Sequence, residues 1–474
     1  MLFNSLTFLY FFAGVLVLYY LPLSWRVRKF NLLWTSYLFY MAWNPPFVIL
    51  LIISTLIDWF AGKALSNATT VTRRRLLLCI SLASNLGMLA FFKYGNFLLQ
   101  NFSWAMERMG VQYTPPQWDI VLPVGISFYT FQTLTYTFDI YFGKMKAWNS
   151  FLDYSLYVTF FPQLVAGPIV RANDFLYQCE TPRRASAKQM GWGLTLLVIG
   201  LFEKAVIADG LLAPIVEEVF DNKAGTRFLG AWLGSFAFAG QIFCDFAGYS
   251  TCAIGVAMCL GFGLMDNFRF PYAAIGFSDF WRRWHISLSS FLRDYLYIPL
   301  GGNRVSNIRT QVNLMLTMLI GGLWHGAAWT FVVWGGLHGL YLIGERFLMN
   351  FWPKEGWWRS VPMQVLAALG TFLLVCITWV FFRSRSFDKA FSMIGSMVGR
   401  YPENQGELME PAQMIIVGCV TVAMLYIHWQ MRNTTLEAAA GKCPWWLRAV
   451  LLAVMIVAIM MSPGEDRAFI YFQF

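Results

Sequence analysis

The stretch Phe280–Arg304 reads FWRRWHISLSSFLRDYLYIPLGGNR, and a little further on Leu316–Gly339 reads LTMLIGGLWHGAAWTFVVWGGLHG. The first is polar and rich in arginine. The second is apolar enough to lie in a bilayer and still carries His325. The whole chain of 474 residues holds only 4 histidines, and two of them stand here, His285 near the start of the arginine-rich stretch and His325 beyond its far end. An ionisable side chain at membrane depth costs about 2–3 kcal/mol or more, which packing alone does not select. Chemistry is therefore expected within Trp281–Gly326, centred on Trp324-His325-Gly326.

Composition sets the class. Hydrophobic residues make up 58% of the chain and charged residues 13%, with mean hydropathy +0.53; soluble domains run at roughly 45–50% and 25%. The expected fold is an all-α, polytopic membrane protein in which 1–474 forms one domain. Lys and Arg outnumber Asp and Glu by 35 to 25, but they sit in short loops beside apolar runs, as the positive-inside rule requires. That placement argues for topology and against nucleic acid. The 8 cysteines form no C-x-x-C pair, so neither a disulfide framework nor a zinc site is expected. Cys244, Cys252 and Cys259 read as small core residues, and no metal ligands are assigned.

Along the chain, apolar runs alternate with basic flanks. Leu6–Leu21 has no basic residue before it and Arg26, Arg28 and Lys29 after it. That is the reverse of a signal peptide and predicts a retained anchor with its N-terminus outside. Leu32–Trp43, Phe47–Phe60, Leu76–Phe92 and Ile120–Phe142 follow. Tyr154–Val170 then breaks the alternation, because basic residues stand on both sides of it and Pro162 and Gly167-Pro168 interrupt it. Broken backbone at membrane depth must be buried in protein or line a cavity, so this segment is expected to be re-entrant. The same conflict recurs at residues 246–264 and 278–297, which are expected only to dip into the membrane. Later runs bring the count to about eleven spans, plus re-entrant and amphipathic pieces around a central cavity.

Individual residues admit a functional and a structural reading. His325, with Gly321, Gly322 and Gly326 near it, can be a general base for acyl transfer or a histidine that joins helices. His285 falls on an expected helix with Trp281 and Ser289 one turn away on either side; it can orient a reactant or sit at an interface. Arg282, Arg293, Asn303 and Arg304 form a basic, glycine-interrupted surface that can hold phosphates or merely mark the cytoplasmic side. Trp324 adjoins His325, and Gln241, Asp245 and Tyr249 make a polar face of one helix that can line the cavity or pack. Asp279 and Arg283, four apart, read as a helix-stabilising pair. His338 is taken to lie about 20 Å from His325 if both share one helix, and His428 to sit at an interface.

The run WRRWHISLSSFLRDYLYIPLGGNR followed by GGLWHG resembles the membrane-bound O-acyltransferase family, in particular its bacterial alginate O-acetyltransferase branch. Weaker similarity at LPVGISFYTFQTLTYTFDIY, FFPQLVAGPIVR, QIFCDFAGYSTCAIG and the terminal FIYFQF extends the resemblance over nearly the full length. The resemblance implies that His325 is the catalytic histidine, with His285 as a second functional position. It also implies acetyl-CoA as acyl donor with no bound cofactor, and a periplasmic acetyltransferase among other exopolysaccharide-modification partners. The location implied is the bacterial inner membrane, in contact with membrane lipids. Ala247 and Thr251 replace residues of the alginate branch's DFSGYSDMAIG, which opens cellulose and other exopolysaccharides as acceptors. A D-alanyl transferase of cell-wall polymers and a non-enzymatic transporter are the rival readings.

Overall fold

The computed structural model describes the chain except residues 117–119, 222–225, 352–359, 401–408, 463–466, 468 and 471–474, and the side chains at 350 and 351. Of the terminal FIYFQF, Phe469 and Ile470 are described, and the rest lies outside the described residues. Among the described residues the regular elements are all helical. They fall into two compact units, Met1–Leu197 with Cys252–Met265, and Val198–Thr251 with Asp266–Phe474.

The first unit contains α1 (Leu6–Tyr20), α2 (Trp25–Met41), α3 (Val48–Asn67), α4 (Val71–Leu89), α5 (Gly95–Arg108), α6 (Ile126–Tyr141), α7 (Phe151–Thr159), α8 (Phe161–Leu164), α9 (Ala172–Leu176) and most of α10 (Ala187–Leu201). Side-chain hydroxyls start several of these helices: Ser5, Thr70 and Ser150 accept from the third following N–H, satisfying an otherwise orphaned donor. The helical segment that begins with α4 does not stop at Phe92, where the apolar run ends. It passes through a π-helical turn, Ala90–Tyr94, into α5.

Polar groups knit this unit together. Asp58 of α3 is fully buried and accepts from Ser81 Oγ, from Asn85 Nδ2 at 2.7 Å and from Thr137 Oγ1 at 3.3 Å, so α3, α4 and α6 meet at one carboxyl. Asn85 Oδ1 in turn accepts from Ser54 and Thr133. Lys29 and Asp153 form a buried ion pair between α2 and α7. The segment expected to break does so: α7 ends at Thr159, α8 is one turn, and residues 165–171 are not helical. Every residue of Tyr154–Val170 is buried, and Tyr157 OH donates toward the Gln132 and Val170 carbonyls at 2.8 and 3.0 Å. Irregular backbone is thus held inside protein.

The second unit contains α11 (Ala213–Asp221), most of α12 (Phe228–Cys259), α13 (Phe277–Arg283), α14 (Ile286–Leu292), α15 (Asn307–His325), α16 (Trp329–Phe351), α17 (Val361–Arg383), α18 (Phe387–Met397), α19 (Pro411–Met431), α20 (Leu436–Lys442) and α21 (Trp445–Met461). α12 is one unbroken helix of 32 residues, so residues 246–259, expected only to dip into the membrane, continue a longer helix. The buried charge in its middle, Asp245, is matched. Lys204, from a π-helical segment Phe202–Leu212, pairs with Asp245 and with Asp209, the latter at 2.9 Å.

By length and composition five helices among the described residues can cross a bilayer: Pro45–Asn67, Val71–Arg108, Phe228–Cys259, Val361–Arg383 and Pro411–Met431. α1 and α21 are shorter apolar helices. The sequence count of about eleven also includes runs such as Leu32–Trp43 and Val312–Leu323, which form parts of α2 and α15.

Candidate active site

α15 and α16 form the hairpin that carries His325. A Cβ on Gly322 would lie 2.3 Å from the Phe331 carbonyl oxygen, and one on Gly335 would lie 2.3 Å from that of Met318. Only glycine permits so close an approach, and it brings His325, the last residue of α15, against the first turns of α16. His325 is 2% exposed. Its ring lies 5.0 Å from those of Trp324 and Trp334 and 5.3 Å from that of Phe382, centroid to centroid.

His285 reaches the same place from a different element. It does not lie within a continuous helix, as the spacing of Trp281, His285 and Ser289 suggests. α13 ends at Arg283, Trp284 is extended, and His285 takes the left-handed region at φ 44°. The cause is tertiary pairing: the Arg269 N–H donates to the Arg283 carbonyl and the Ile286 N–H to the Asn267 carbonyl, both at 2.9 Å. These bonds replace the helical ones. A non-glycine residue held in this region costs about 1–3 kcal/mol and is commonest at functional sites. His285 is fully buried, 6.3 Å from His325 and 5.8 Å from Trp324 between ring centroids, with Phe246 against its other side at 4.6 Å.

The short helix α13 is docked with care. The Glu345 carboxylate accepts from the Phe277 and Ser278 N–H groups at 2.5 and 3.0 Å, and Gly276, at φ 81°, turns the chain into the helix. Asp279 accepts from the Ile275 N–H at 3.0 Å and pairs with Arg283 and Arg432, each at 2.9 Å. Burial alone would raise the Asp279 carboxyl, but these three donors outweigh it and hold it below the usual range. The Asp279–Arg283 pair is therefore part of a three-way tie between α13 and the end of α19.

His338 belongs to this cluster, contrary to the single-helix distance argument. The chain reverses between α15 and α16, so Trp334 touches both histidines, with its ring 5.0 Å from that of His325 and 4.8 Å from that of His338. Trp281 lies 5.2 Å from His338 and 5.8 Å from Trp334. Among the described residues, the indole N–H groups of Trp281, Trp284, Trp334 and Trp379 meet no acceptor. Buried donors of this kind call for an explanation, and two of these indoles, Trp281 and Trp334, have their rings against His338, with Trp334 also against His325.

The other sequence-derived candidates divide. Ser289 Oγ donates to the Trp281 carbonyl at 2.8 Å, bracing the break at His285. The Tyr249 ring meets that of Phe469, which also meets Phe246, so its face of α12 leads toward His285. Asp245 holds Lys204 and accepts from the Ile470 N–H at 2.8 Å, an anchoring role; Gln241 is half-buried two turns from Tyr249 on the same helix. The arginine-rich surface is exposed: Arg293 pairs with neighbouring Asp294 at 2.7 Å, and Asn303 Oδ1 accepts from Tyr297 and from Arg346 at 2.5 and 2.8 Å. Arg282 and Arg304 are exposed as well. Asn267, Trp334, Glu345 and Lys204 escaped the sequence reading. Only Lys204, a charge next to an apolar run, offered any signal.

An all-helical protein with spanning helices and a buried pair of histidines defines a class of polytopic membrane protein. The model of the membrane-bound O-acyltransferase family matches residues 25–384, and the chain belongs to that family; it is an O-acyltransferase. It is 38% identical over 430 residues to the probable alginate O-acetylase of Azotobacter vinelandii, covering 90% of this chain and 84% of that one. It is 40% identical over 400 residues to the corresponding protein of Pseudomonas aeruginosa, covering 84% and 75%. It is also 36% identical over 432 residues to the peptidoglycan O-acetyltransferase of Helicobacter pylori, covering 84% and 80%.

Proposed function

We propose that the chain moves an acetyl group from a cytoplasmic thioester, acetyl-CoA, toward hydroxyl groups of an exported polysaccharide, with His325 and His285 as the reaction centre. The observation that carries this reading is the pair of buried imidazoles, their ring centroids 6.3 Å apart inside an aromatic enclosure. His325 accepts the proton of an acceptor hydroxyl as that oxygen attacks the thioester carbonyl. The C–S bond breaks, and the leaving thiolate takes up a proton. General-base help of this kind contributes about 10²–10⁴-fold. The indole N–H donors of Trp281, Trp284 and Trp334 are suited to the carbonyl oxygen, which gains charge during the attack.

His285 orients the donor, and Arg282, Arg304 and Asn303 form the exposed surface that meets the phosphates of coenzyme A. Arg293 contributes less, because Asp294 already neutralises it. The site is the inner membrane of a bacterium, in contact with lipid. A periplasmic acetyltransferase and other exopolysaccharide-modification proteins take the acetyl group onward. Alginate and cellulose types of acceptor both fit the relatives' O-acetyl chemistry. The chain works as one membrane domain.

Sealed inside-out membrane vesicles supplied with acetyl-labelled acetyl-CoA test the donor and its side together. Label is expected to become ester-linked only when the protein is present. Label transferred solely from an acetylated carrier protein, or solely in right-side-out vesicles, would refute the donor assignment.

A further inference from the structure

Resting on the reading of His285 and His325 as one reaction centre, we propose that Asn267 is a positioning residue that holds His285 in the Nδ1–H tautomer, leaving Nε2 as its basic nitrogen. Asn267 is 1% exposed and precedes α13. Its Oδ1 accepts from the backbone N–H of Ser287 at 3.2 Å and from Ser287 Oγ at 2.9 Å, and it lies 3.1 Å from His285 Nδ1. Its Nδ2 donates to Ser250 Oγ at 3.1 Å. A backbone N–H can only donate, so the atom facing it is the amide oxygen. That oxygen can only accept, so His285 Nδ1 carries the hydrogen.

The same reasoning gives the opposite tautomer at two other histidines. Thr378 Oγ1 donates to the Val375 carbonyl at 2.7 Å, so at 3.0 Å it accepts from His338 Nε2–H. His428 Nδ1 accepts from the Tyr272 N–H at 3.2 Å, which leaves the hydrogen on Nε2. His285 thus differs from these two in carrying its lone pair on Nε2, at the end of the ring remote from its own backbone. The strained φ of 44° and the Asn267 carbonyl that accepts the Ile286 N–H fix the ring's direction as well as its tautomer.

The chain's 4 histidines make nitrogen-15 histidine NMR of the protein in lipid nanodiscs practicable, with the His285 signals assigned by their loss in His285→Asn. The wild type is expected to show His285 protonated at Nδ1, and Asn267→Leu to lose that state. Acetate transfer should fall about 10–100-fold in Asn267→Leu, the range seen where a histidine ligand loses its orienting partner. Asn267→Asp keeps an acceptor oxygen in place and should keep Nδ1 protonated with more turnover than Asn267→Leu. An Nε2–H His285 in the wild type, or an Asn267→Leu protein that keeps both tautomer and rate, would overturn the proposal. His285→Asn transferring acetate at the wild-type rate would instead overturn the reaction-centre reading beneath it.

Discussion

Asp58 in the first unit and His325 in the second are both ionisable, both buried and both on apolar helices, yet their surroundings differ in kind. The Asp58 carboxyl is met by hydroxyl and amide donors from α4 and α6, and those groups bond onward to Ser54 and Thr133. His325 is met by the faces and edges of Trp324, Trp334 and Phe382, and its neighbour His285 is held in strained backbone. A buried polar group whose partners are all supplied by adjacent helices is accounted for by helix association. One placed among aromatic rings, with a second imidazole beside it on a distorted chain, calls for a different account. Burial alone therefore does not mark a reaction centre; the chemistry of the surrounding shell does.

This contrast is broken or sharpened by substitution. The largest effect is expected at His325: His325→Ala should lower acetate transfer about 10²–10⁴-fold while the thermal midpoint of the purified protein stays near wild type. A parallel fall in both would turn His325 into a second Asp58. Lys204→Met comes next, because it leaves Asp245 buried without its cation, a change that costs about 3–5 kcal/mol. The readout is thermal unfolding in detergent, and an unchanged midpoint would contradict the anchoring role. Asp58→Ala should cost about 1–3 kcal/mol through the donors it strands, and the correctly folded fraction should keep its kcat.

The smallest effect belongs to Asp279→Asn, expected to cost about 1–2 kcal/mol through the lost ties to Arg283 and Arg432. Because its folded-state pKa is depressed, its contribution is complete above the ordinary carboxylate value and is lost only as pH falls through the lower folded value. At neutral pH the wild type should therefore exceed the variant in stability, and the gap should close only in strong acid. Thermal midpoints of the two proteins across that range check it.

Composition made the class legible, and the histidines of the polar stretch and of the apolar run after it brought His285 and His325 into view as candidates. Less legible was the break at His285. WRRWHISLSS holds neither proline nor glycine, and the helix stops because residues 267–269 take its backbone partners, which no local spacing reports. His338 joined the cluster for a similar reason: the reversal after Gly326 folds one apolar run back on the other. Asn267 and Glu345 look like ordinary polar residues in sequence, and their roles exist only through contacts 18 and about 70 residues away. That Asp245 of α12 is matched by Lys204 was not legible either, because the two lie far apart in sequence.

The central claim is that His285 and His325 act as one centre, and a double-mutant cycle measures it most directly. Acetate transfer from labelled acetyl-CoA would be followed in vesicles bearing wild type, His285→Ala, His325→Ala and the double variant. Groups that act as a unit are far from additive, so the double variant should be little slower than the poorer single one. Losses that multiply, with the double variant slower by the product of the two single factors, would show two independent sites and contradict the account.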